Sequence, residues 1–196
     1  MSEIKITYVD DSIDLTLSRF LENKFGENYS EYEFDCNNGY EDLLKSEQIS
    51  GANIVIIDSK LFEDSHVHDK KFTGEEFKII LRKIFPFVEV IVITQNEELI
   101  EEQIVRKYKE QQDGPKASDY YESALIPCIK HSIENLNAYR KIADKLQRNT
   151  DIDKMLVEKI INSLNGIDEY DELKSEEVDK LIKAFEELHK SINEWL

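Results

Sequence analysis

The stretch IVIID at residues 54–58 is a run of four apolar residues that ends in a carboxylate. A strand with one face in water alternates apolar and polar residues, so a continuous apolar run predicts a strand that is covered on both faces. The stretch VEVIVIT at residues 88–94 has nearly the same character and ends in a threonine. Two such runs in one chain predict a parallel sheet with helices packed on both of its faces.

On either side of these runs, strand patterns and helical patterns alternate over the first two-thirds of the chain. The predicted strands cover residues 5–9, 31–35, 53–58, 88–94 and 117–121. The predicted helices cover residues 12–24, 39–46, 74–84 and 97–111. Because each strand is followed by a helix, this order predicts a doubly wound α/β fold, whose ligands bind at the carboxyl ends of the strands.

The C-terminal third of the chain shows helical patterns only. One runs from about residue 125 to residue 148, and a second covers residues 152–164. A third carries apolar residues at spacings of three and four: Val178, Leu181, Phe185, Leu188, Ile192 and Trp195. We predict an α/β domain over residues 1–136 and a helical extension over residues 137–196 that continues from its last helix. The apolar stripe of the extension either packs within one chain as a small bundle or forms an interface with a second copy.

Acidic residues strongly outnumber basic residues, since 42 Asp and Glu against 25 Lys and Arg give a net charge of -17. Residues 151–196 alone carry 13 Asp and Glu against 6 Lys, a net charge of -7. Such a surface repels nucleic-acid backbones and anionic lipid, and a DNA-reading helix needs clustered Lys and Arg. We therefore expect no binding to nucleic acid or to membranes.

The sequence also predicts a cytoplasmic location. No apolar run approaches the roughly 20 residues that a membrane span needs, and the first residues lack the pattern of a secretory signal. The two cysteines, Cys36 and Cys128, have neither the spacing of metal ligands nor that of a disulfide framework. Such cysteines are typical of a reducing compartment.

Acidic residues end two of the predicted strands. The stretch ITYVDD at residues 6–11 ends in Asp10 and Asp11, and Asp58 ends the run at residues 54–58. Asp-Asp-Ser is also a helix-capping sequence, and a lone Asp after a strand is often a cap. In a doubly wound sheet, however, the first and third strands are neighbours, so all three carboxylates would meet at one rim. Their repulsion needs a cation or protons to offset it, which predicts a divalent cation site.

These residues and their order resemble the receiver domain of two-component response regulators, over roughly residues 4–136. The resemblance rests on the following, in chain order: Asp10, Asp11, Asp58, TGEEF at residues 73–77, Thr94 and ASDYY at residues 117–121. Each of these features alone is common, whereas the ordered set is fairly specific. The resemblance implies a flavodoxin-like fold with five parallel strands in the order 2-1-3-4-5.

The resemblance also implies a role for each strand-terminal acid. Asp58 would be the phosphoacceptor, since a carboxylate can attack a phosphoryl donor and form an acyl phosphate. Asp11 would bind Mg²⁺ directly, and Asp10 would help directly or through water. The Asp58 carboxylate and the backbone carbonyl of Lys60 would be further ligands. Mg²⁺ needs few protein carboxylates, because waters and phosphate oxygens complete its octahedron.

Further positions complete the comparison with the family. Thr94 would hydrogen-bond the bound phosphate, and Tyr120 would be the aromatic residue that changes position with it. The family also has a lysine just past the fifth strand, which pairs with the phosphate. With the fifth strand at residues 117–121, that place falls on Ser123, and no Lys or Arg occurs within residues 117–129. We therefore expect an atypical receiver that lacks this lysine.

The function implied is that of a response regulator in phosphorelay signal transduction. It would accept a phosphoryl group from a histidine kinase or a phosphotransfer protein. It would then signal to a downstream protein through its C-terminal helices, or form a homodimer through them. It would not be a dedicated enzyme, beyond slow self-dephosphorylation, and a phosphatase of the haloacid-dehalogenase type would need an Asp where Lys60 stands. The alternative is a phosphorylation-independent pseudo-receiver that acts as a binding scaffold.

Overall fold

The computed structural model describes residues 4–35, 40–61, 73–96, 103–112, 114–148 and 154–164. These residues form five strands: β1 (Ile6–Asp10), β2 (Tyr29–Glu33), β3 (Ile54–Asp58), β4 (Glu89–Thr94) and β5 (Ile104–Arg106). The same residues form six α-helices: α1 (Leu15–Phe25), α2 (Tyr40–Lys45), α3 (Glu47–Ser50), α4 (Gly74–Ile84), α5 (Ala117–Gln147) and α6 (Lys154–Leu164).

All five strands are parallel and form one sheet in the order β2-β1-β3-β4-β5. This arrangement confirms the predicted doubly wound, flavodoxin-like fold. Val9 of β1 lies opposite Ile57 of β3, and Asp58 lies opposite Ile93 of β4. The carboxyl ends of β1, β3 and β4 therefore meet at one edge of the sheet, where ligands bind in folds of this class.

The central strands are covered on both faces, as their apolar runs predict. Every residue of β1, β3 and β4 is buried. Val55 and Ile57 belong to a core cluster that includes Phe77 of α4. Ile54 and Ile56 belong to a second cluster, which includes residues of α1 and α5. Successive residues of one strand thus enter cores on opposite faces of the sheet, which explains the continuous apolar run.

The helix that follows β1 is capped beyond the acid pair. The side chain of Asp14 accepts hydrogen bonds from the backbone N–H groups of Thr16 and Leu17, and α1 then begins at Leu15. This geometry identifies Asp14 as the N-cap of α1. The capping alternative for the Asp-Asp-Ser sequence at residues 10–12 is therefore wrong.

The structure corrects the prediction for the fifth strand. Residues 117–121 open α5 instead of forming a strand, and the fifth strand is Ile104–Arg106, inside the predicted helix at residues 97–111. That predicted helix is therefore wrong for residues 103–111, and its residues 97–102 lie outside the described part of the chain. The helix at residue 117 forms because Tyr121, Leu125 and Ile129 recur every four residues and are all buried.

The helical extension begins as a continuation of α5. This helix has 31 residues and continues without a break past residue 136, where the sequence predicts a domain boundary. The boundary itself stays a prediction. Helix α6 contacts α5, and Ala143, Val157 and Leu164 are buried. The third helical pattern, over residues 175–196, lies outside the described residues. Of the helices that are described, none is both long and apolar enough to cross a membrane.

Candidate functional site

Three carboxylates converge at the carboxyl edge of the sheet. Asp10 ends β1, Asp11 follows it directly and Asp58 ends β3, and one carboxylate oxygen from each lies within 4.8 Å of the others. Asp10 is 1% exposed and Asp58 is 4% exposed, while Asp11 is half-buried. The adjacent parallel pairing of β1 and β3 brings them together, as the sequence predicts. Carboxylates buried this closely require a positive charge nearby.

Lys107 supplies a positive charge that sequence reasoning missed. It directly follows β5, and its backbone N–H donates to the carbonyl oxygen of Thr94 at 2.7 Å. Its Nζ lies 2.9 Å from Oδ2 of Asp10 and 2.8 Å from Oδ1 of Asp58. The side chain is only 12% exposed, so one buried ammonium joins two buried carboxylates. Lys107 therefore occupies the place just past the fifth strand where the resemblance to receivers expects a lysine.

The predicted assignment of Ser123 to that place is wrong, because the fifth strand is Ile104–Arg106 and not residues 117–121. Ser123 lies on α5, and its hydroxyl donates to the backbone carbonyl of Tyr120 at 2.8 Å. It is exposed and belongs to the helix, so it is not a strand-end residue. The expectation that the chain lacks the family's lysine rested on a fifth strand placed too late in the sequence.

Burial and the charge of the partner shift the pKa of Asp58 in opposite directions, and the same is true of Lys107. Burial raises the pKa of Asp58 above its ordinary value, although Lys107 opposes that change. For Lys107, burial alone would lower the pKa, but hydrogen bonds and charge from Asp58 and Asp10 raise it overall. Lys107 is therefore held as an ammonium. Three carboxyl groups cluster around one ammonium, so the site favours a further positive charge such as a divalent cation.

The donor set at this edge fits a hard divalent cation. The three clustered side chains offer oxygen atoms, which hard divalent cations prefer, and none of them offers nitrogen or sulfur. The backbone of Lys60 lies next to the cluster, since its N–H donates to Oδ2 of Asp58 at 3.0 Å. Asp10, Asp11, Asp58 and the main chain at Lys60 are the groups that could hold such an ion.

The start of α4 fixes the backbone that carries Asp58. The N–H of Gly74 donates to the carbonyl oxygen of Ser59 at 2.9 Å. A Cβ atom at Gly74 would lie only 2.3 Å from the carbonyl oxygen of Asp58, so a larger residue does not fit without backbone movement. A capping box between Thr73 and Glu76 holds the first turn of α4 in place. Gly74 therefore allows helix and strand end to touch.

The predicted residues Thr94 and Tyr120 lie close to Lys107. Thr94 is fully buried, and its hydroxyl hydrogen-bonds the hydroxyl of Ser59 at 2.9 Å and accepts the N–H of Asn96 at 3.1 Å. Tyr120 lies on α5, not on a strand, and its hydroxyl donates to the carbonyl oxygen of Arg106 at 3.1 Å. Thr94, Lys107 and Tyr120 line one open cavity of about 290 Å³.

Comparison with protein-family models, with curated proteins and with solved structures finds no match to this chain. The fold, the strand order and the acid cluster are compatible with a receiver domain. Any functional conclusion therefore rests on the geometry of the site and on the resemblance of its residues.

Proposed function

We propose that this protein is a phosphoacceptor module of the response-regulator type, in which Asp58 receives the phosphoryl group. The observation that carries the proposal is the contact of Lys107 with both Asp58 and Asp10. With it, the chain has a strand-terminal acid pair, a central Asp, a Thr and a Lys at neighbouring strand ends. These are the groups that the resemblance to receivers requires.

The proposed reaction is transfer of a phosphoryl group to a carboxylate. An oxygen of Asp58 attacks the phosphorus, a new O–P bond forms, and the donor's bond to phosphorus breaks with its electron pair leaving on the donor. When bound, Mg²⁺ held by Asp11, Asp58 and the carbonyl of Lys60 would neutralise charge on the transferring group. Lys107 has three N–H donors, so it can contact a phosphate oxygen beside Asp58 while it keeps Asp10 as a partner.

Thr94 and Tyr120 would respond to the phosphoryl group. The Thr94 hydroxyl would exchange its contact with Ser59 for one with a phosphate oxygen, as its position beside Lys107 permits. Tyr120 would then leave the carbonyl of Arg106 and change position in the shared cavity. In this proposal the movement of Tyr120 carries the signal from the acid cluster to α5.

The proposed partners follow from this chemistry. A histidine kinase or a phosphotransfer protein would donate the phosphoryl group, and a downstream protein or a second copy would contact the C-terminal helices. The chain would act in the cytoplasm as a signalling protein, with no enzymatic role beyond slow loss of its own phosphoryl group. Its net charge of -17 supports an output through protein contacts and opposes binding to nucleic acid.

One observation favours the alternative of a pseudo-receiver that acts only as a scaffold. Lys107 pairs with both Asp10 and Asp58, as a permanent structural cation would. In that case the acid cluster would stabilise the fold and would take part in no phosphoryl transfer.

Incubation with Mg²⁺ and a small acyl phosphate, followed by intact mass measurement, separates the two functions. We expect the mass of one added phosphoryl group on the wild-type protein, and no addition on Asp58→Asn. Asp42→Asn is a matched control on α2, where Asp42 accepts a hydrogen bond from Tyr32, and it should be labelled like the wild type. An unlabelled wild-type protein under conditions that label an ordinary receiver would favour the scaffold.

A further inference from the structure

Tyr8 brings a fully buried phenol hydroxyl to the acid cluster. It lies on β1 two residues before Asp10, so both side chains project from the same face of the sheet. Its side chain is 0% exposed and belongs to the core cluster that includes residues of α1 and α5. Its hydroxyl donates a hydrogen bond to Oδ2 of Asp10. The phosphoryl transfer proposed above does not use this contact.

The contact with Tyr8 fills the remaining acceptor capacity of one Asp10 oxygen. Oδ2 of Asp10 accepts from the Tyr8 hydroxyl and from Nζ of Lys107, and Oδ1 accepts from the N–H of Ser12 at 3.1 Å. A carboxylate oxygen has two lone pairs, so two donors saturate Oδ2. Because the Tyr8 ring is packed in the core, its hydroxyl cannot turn away to release this oxygen.

Asp58 has more acceptor capacity left than Asp10. Among the described residues, Oδ1 of Asp58 accepts from Lys107 and Oδ2 accepts from the N–H of Lys60, which is one donor for each oxygen. Each oxygen of Asp58 thus keeps a lone pair for a cation or for phosphorus. Asp10 would have to give up a donor at Oδ2 before that oxygen could ligate a metal ion.

We infer that Tyr8 is a positioning residue that withholds Oδ2 of Asp10 from the cation and thereby makes the site selective for Mg²⁺ over Ca²⁺. This inference rests on the cation site of the proposed function. Mg²⁺ binds through one or two carboxylates and retains several waters, whereas Ca²⁺ takes six to eight oxygen ligands. An extra carboxylate oxygen from Asp10 would therefore favour Ca²⁺, and Tyr8 withholds that oxygen.

Calorimetric titration of the full chain with Mg²⁺ and separately with Ca²⁺ tests the inference. Tyr8→Phe keeps the packed ring and removes only the hydroxyl. We expect Ca²⁺ affinity to rise about five-fold in this variant and Mg²⁺ affinity to change less than about two-fold, because only the larger ion gains from another ligand. Tyr32→Phe is the matched control, since the Tyr32 hydroxyl donates to Oδ2 of Asp42 at 2.9 Å and its ring packs on the opposite face of the sheet.

A second variant keeps the test independent of whether Tyr8→Phe folds. In the wild-type background, Tyr8 keeps Oδ2 of Asp10 away from either ion and Asp10→Asn removes the same charge for both, so it should lower the affinities for Mg²⁺ and Ca²⁺ by the same factor. In the Tyr8→Phe background, Asp10→Asn should lower Ca²⁺ affinity by the larger factor, since there it removes a ligand as well. Melting curves in EDTA, followed by circular dichroism, check that each variant is folded.

The outcomes separate this inference from the proposed function. A Ca²⁺-to-Mg²⁺ affinity ratio that rises in Tyr8→Phe and stays constant in Tyr32→Phe supports the role of Tyr8. A wild-type protein that binds Mg²⁺, with the same ratio in Tyr8→Phe or with unequal losses in Asp10→Asn alone, overturns the role of Tyr8 and leaves the cation site standing. A wild-type protein that binds neither ion overturns the cation site and the inference together.

Discussion

Lys107 is the positive charge in contact with the acid cluster. Its ammonium contacts two carboxylates that are almost completely buried, at 2.9 Å and 2.8 Å. Removing one partner of a buried ion pair leaves the remaining charges uncompensated in a medium of low dielectric constant. The lysine therefore has a structural role in the resting protein and, by proposal, a catalytic role when phosphate is present.

We predict that Lys107→Met lowers the free energy of unfolding by about 3 kcal/mol or more in EDTA, because Asp10 and Asp58 lose their common partner. Urea denaturation measures this loss. Mg²⁺ should restore more stability to Lys107→Met than it adds to the wild type, since in the variant the clustered carboxylates have lost the ammonium of Lys107.

Lys24→Met is the matched control for this prediction. Lys24 also forms an ion pair, with Glu122 at 2.8 Å, but the two side chains are 43% and 52% exposed. An exposed pair contributes at most about 1 kcal/mol, so this variant should lose little stability. Equal losses in the two variants would show that Lys107 is not the central cation of the cluster.

At the scale of elements, the contact between α4 and the end of β3 holds the phosphoacceptor in place. Alanine at position 74 would put a Cβ atom 2.3 Å from the carbonyl oxygen of Asp58 and 2.9 Å from the Cα of Ser59. Both neighbours are backbone atoms, which cannot rotate away as a side chain can. Relief of the overlap requires the helix to move or the backbone of β3 to shift.

We predict that Gly74→Ala lowers the free energy of unfolding by about 1–3 kcal/mol, the usual cost of overpacking. Helix propensity alone predicts a gain of up to about 1 kcal/mol for this substitution, so the sign of the change tests the close approach. Labelling of Asp58 by a small acyl phosphate should also become slower, because its carboxylate moves with the strand end.

Gly114→Ala serves as the control for that prediction. Gly114 is exposed, and the nearest atom to an added Cβ is the Cβ of the exposed residue Gln111 at 3.0 Å, so a small shift of this surface turn relieves the contact. Its stability should change by less than about 0.5 kcal/mol. A gain in stability in Gly74→Ala, with unchanged labelling, would contradict the role given to Gly74.

The central strands β3 and β4 could be predicted because their apolar sequences show that both of their faces are buried. The runs at residues 54–57 and 90–93 are apolar without alternation, and only a strand covered on both faces accounts for that. Their positions then place Asp58 and Thr94 at strand ends, and the parallel pairing brings Asp10 beside Asp58. Fold class and acid cluster therefore follow from periodicity and topology alone.

The fifth strand could not be predicted in the same way because it is short and lies at the edge of the sheet. It has three residues, of which only Val105 is buried, and charged residues that suit a helix surround it. Such a segment shows no period, and its pairing with β4 decides its conformation. A signal was nonetheless present: the apolar pair Ile104-Val105 is followed within two residues by Lys107, as a strand followed by a strand-end residue would be.

At the scale of the whole molecule, α5 and α6 leave apolar surface that the described residues do not cover. Ile142 of α5 is 53% exposed and Met155 of α6 is 71% exposed. Between these helices lies a groove lined in part by Leu146, Val157 and Ile161. The sequence beyond residue 164 continues with an amphipathic pattern whose apolar residues recur at spacings of three and four. Such a pattern needs an apolar partner surface, and the exposed residues of α5 and α6 offer one.

We predict that the segment at residues 175–196 packs on the surface around Ile142 and Met155, so that its deletion causes aggregation or a change of oligomeric state. Light scattering coupled to size-exclusion chromatography measures both effects.

Ile142→Lys in the full chain should produce the same change, since a charged lysine at that position cannot pack against an apolar partner surface. Ile79→Lys is its matched control, because Ile79 on α4 is 52% exposed but lies outside the extension. If truncation and Ile142→Lys leave the assembly unchanged, the helical extension does not use this face. A change in Ile79→Lys of the same size would instead point to an interface on the α/β domain.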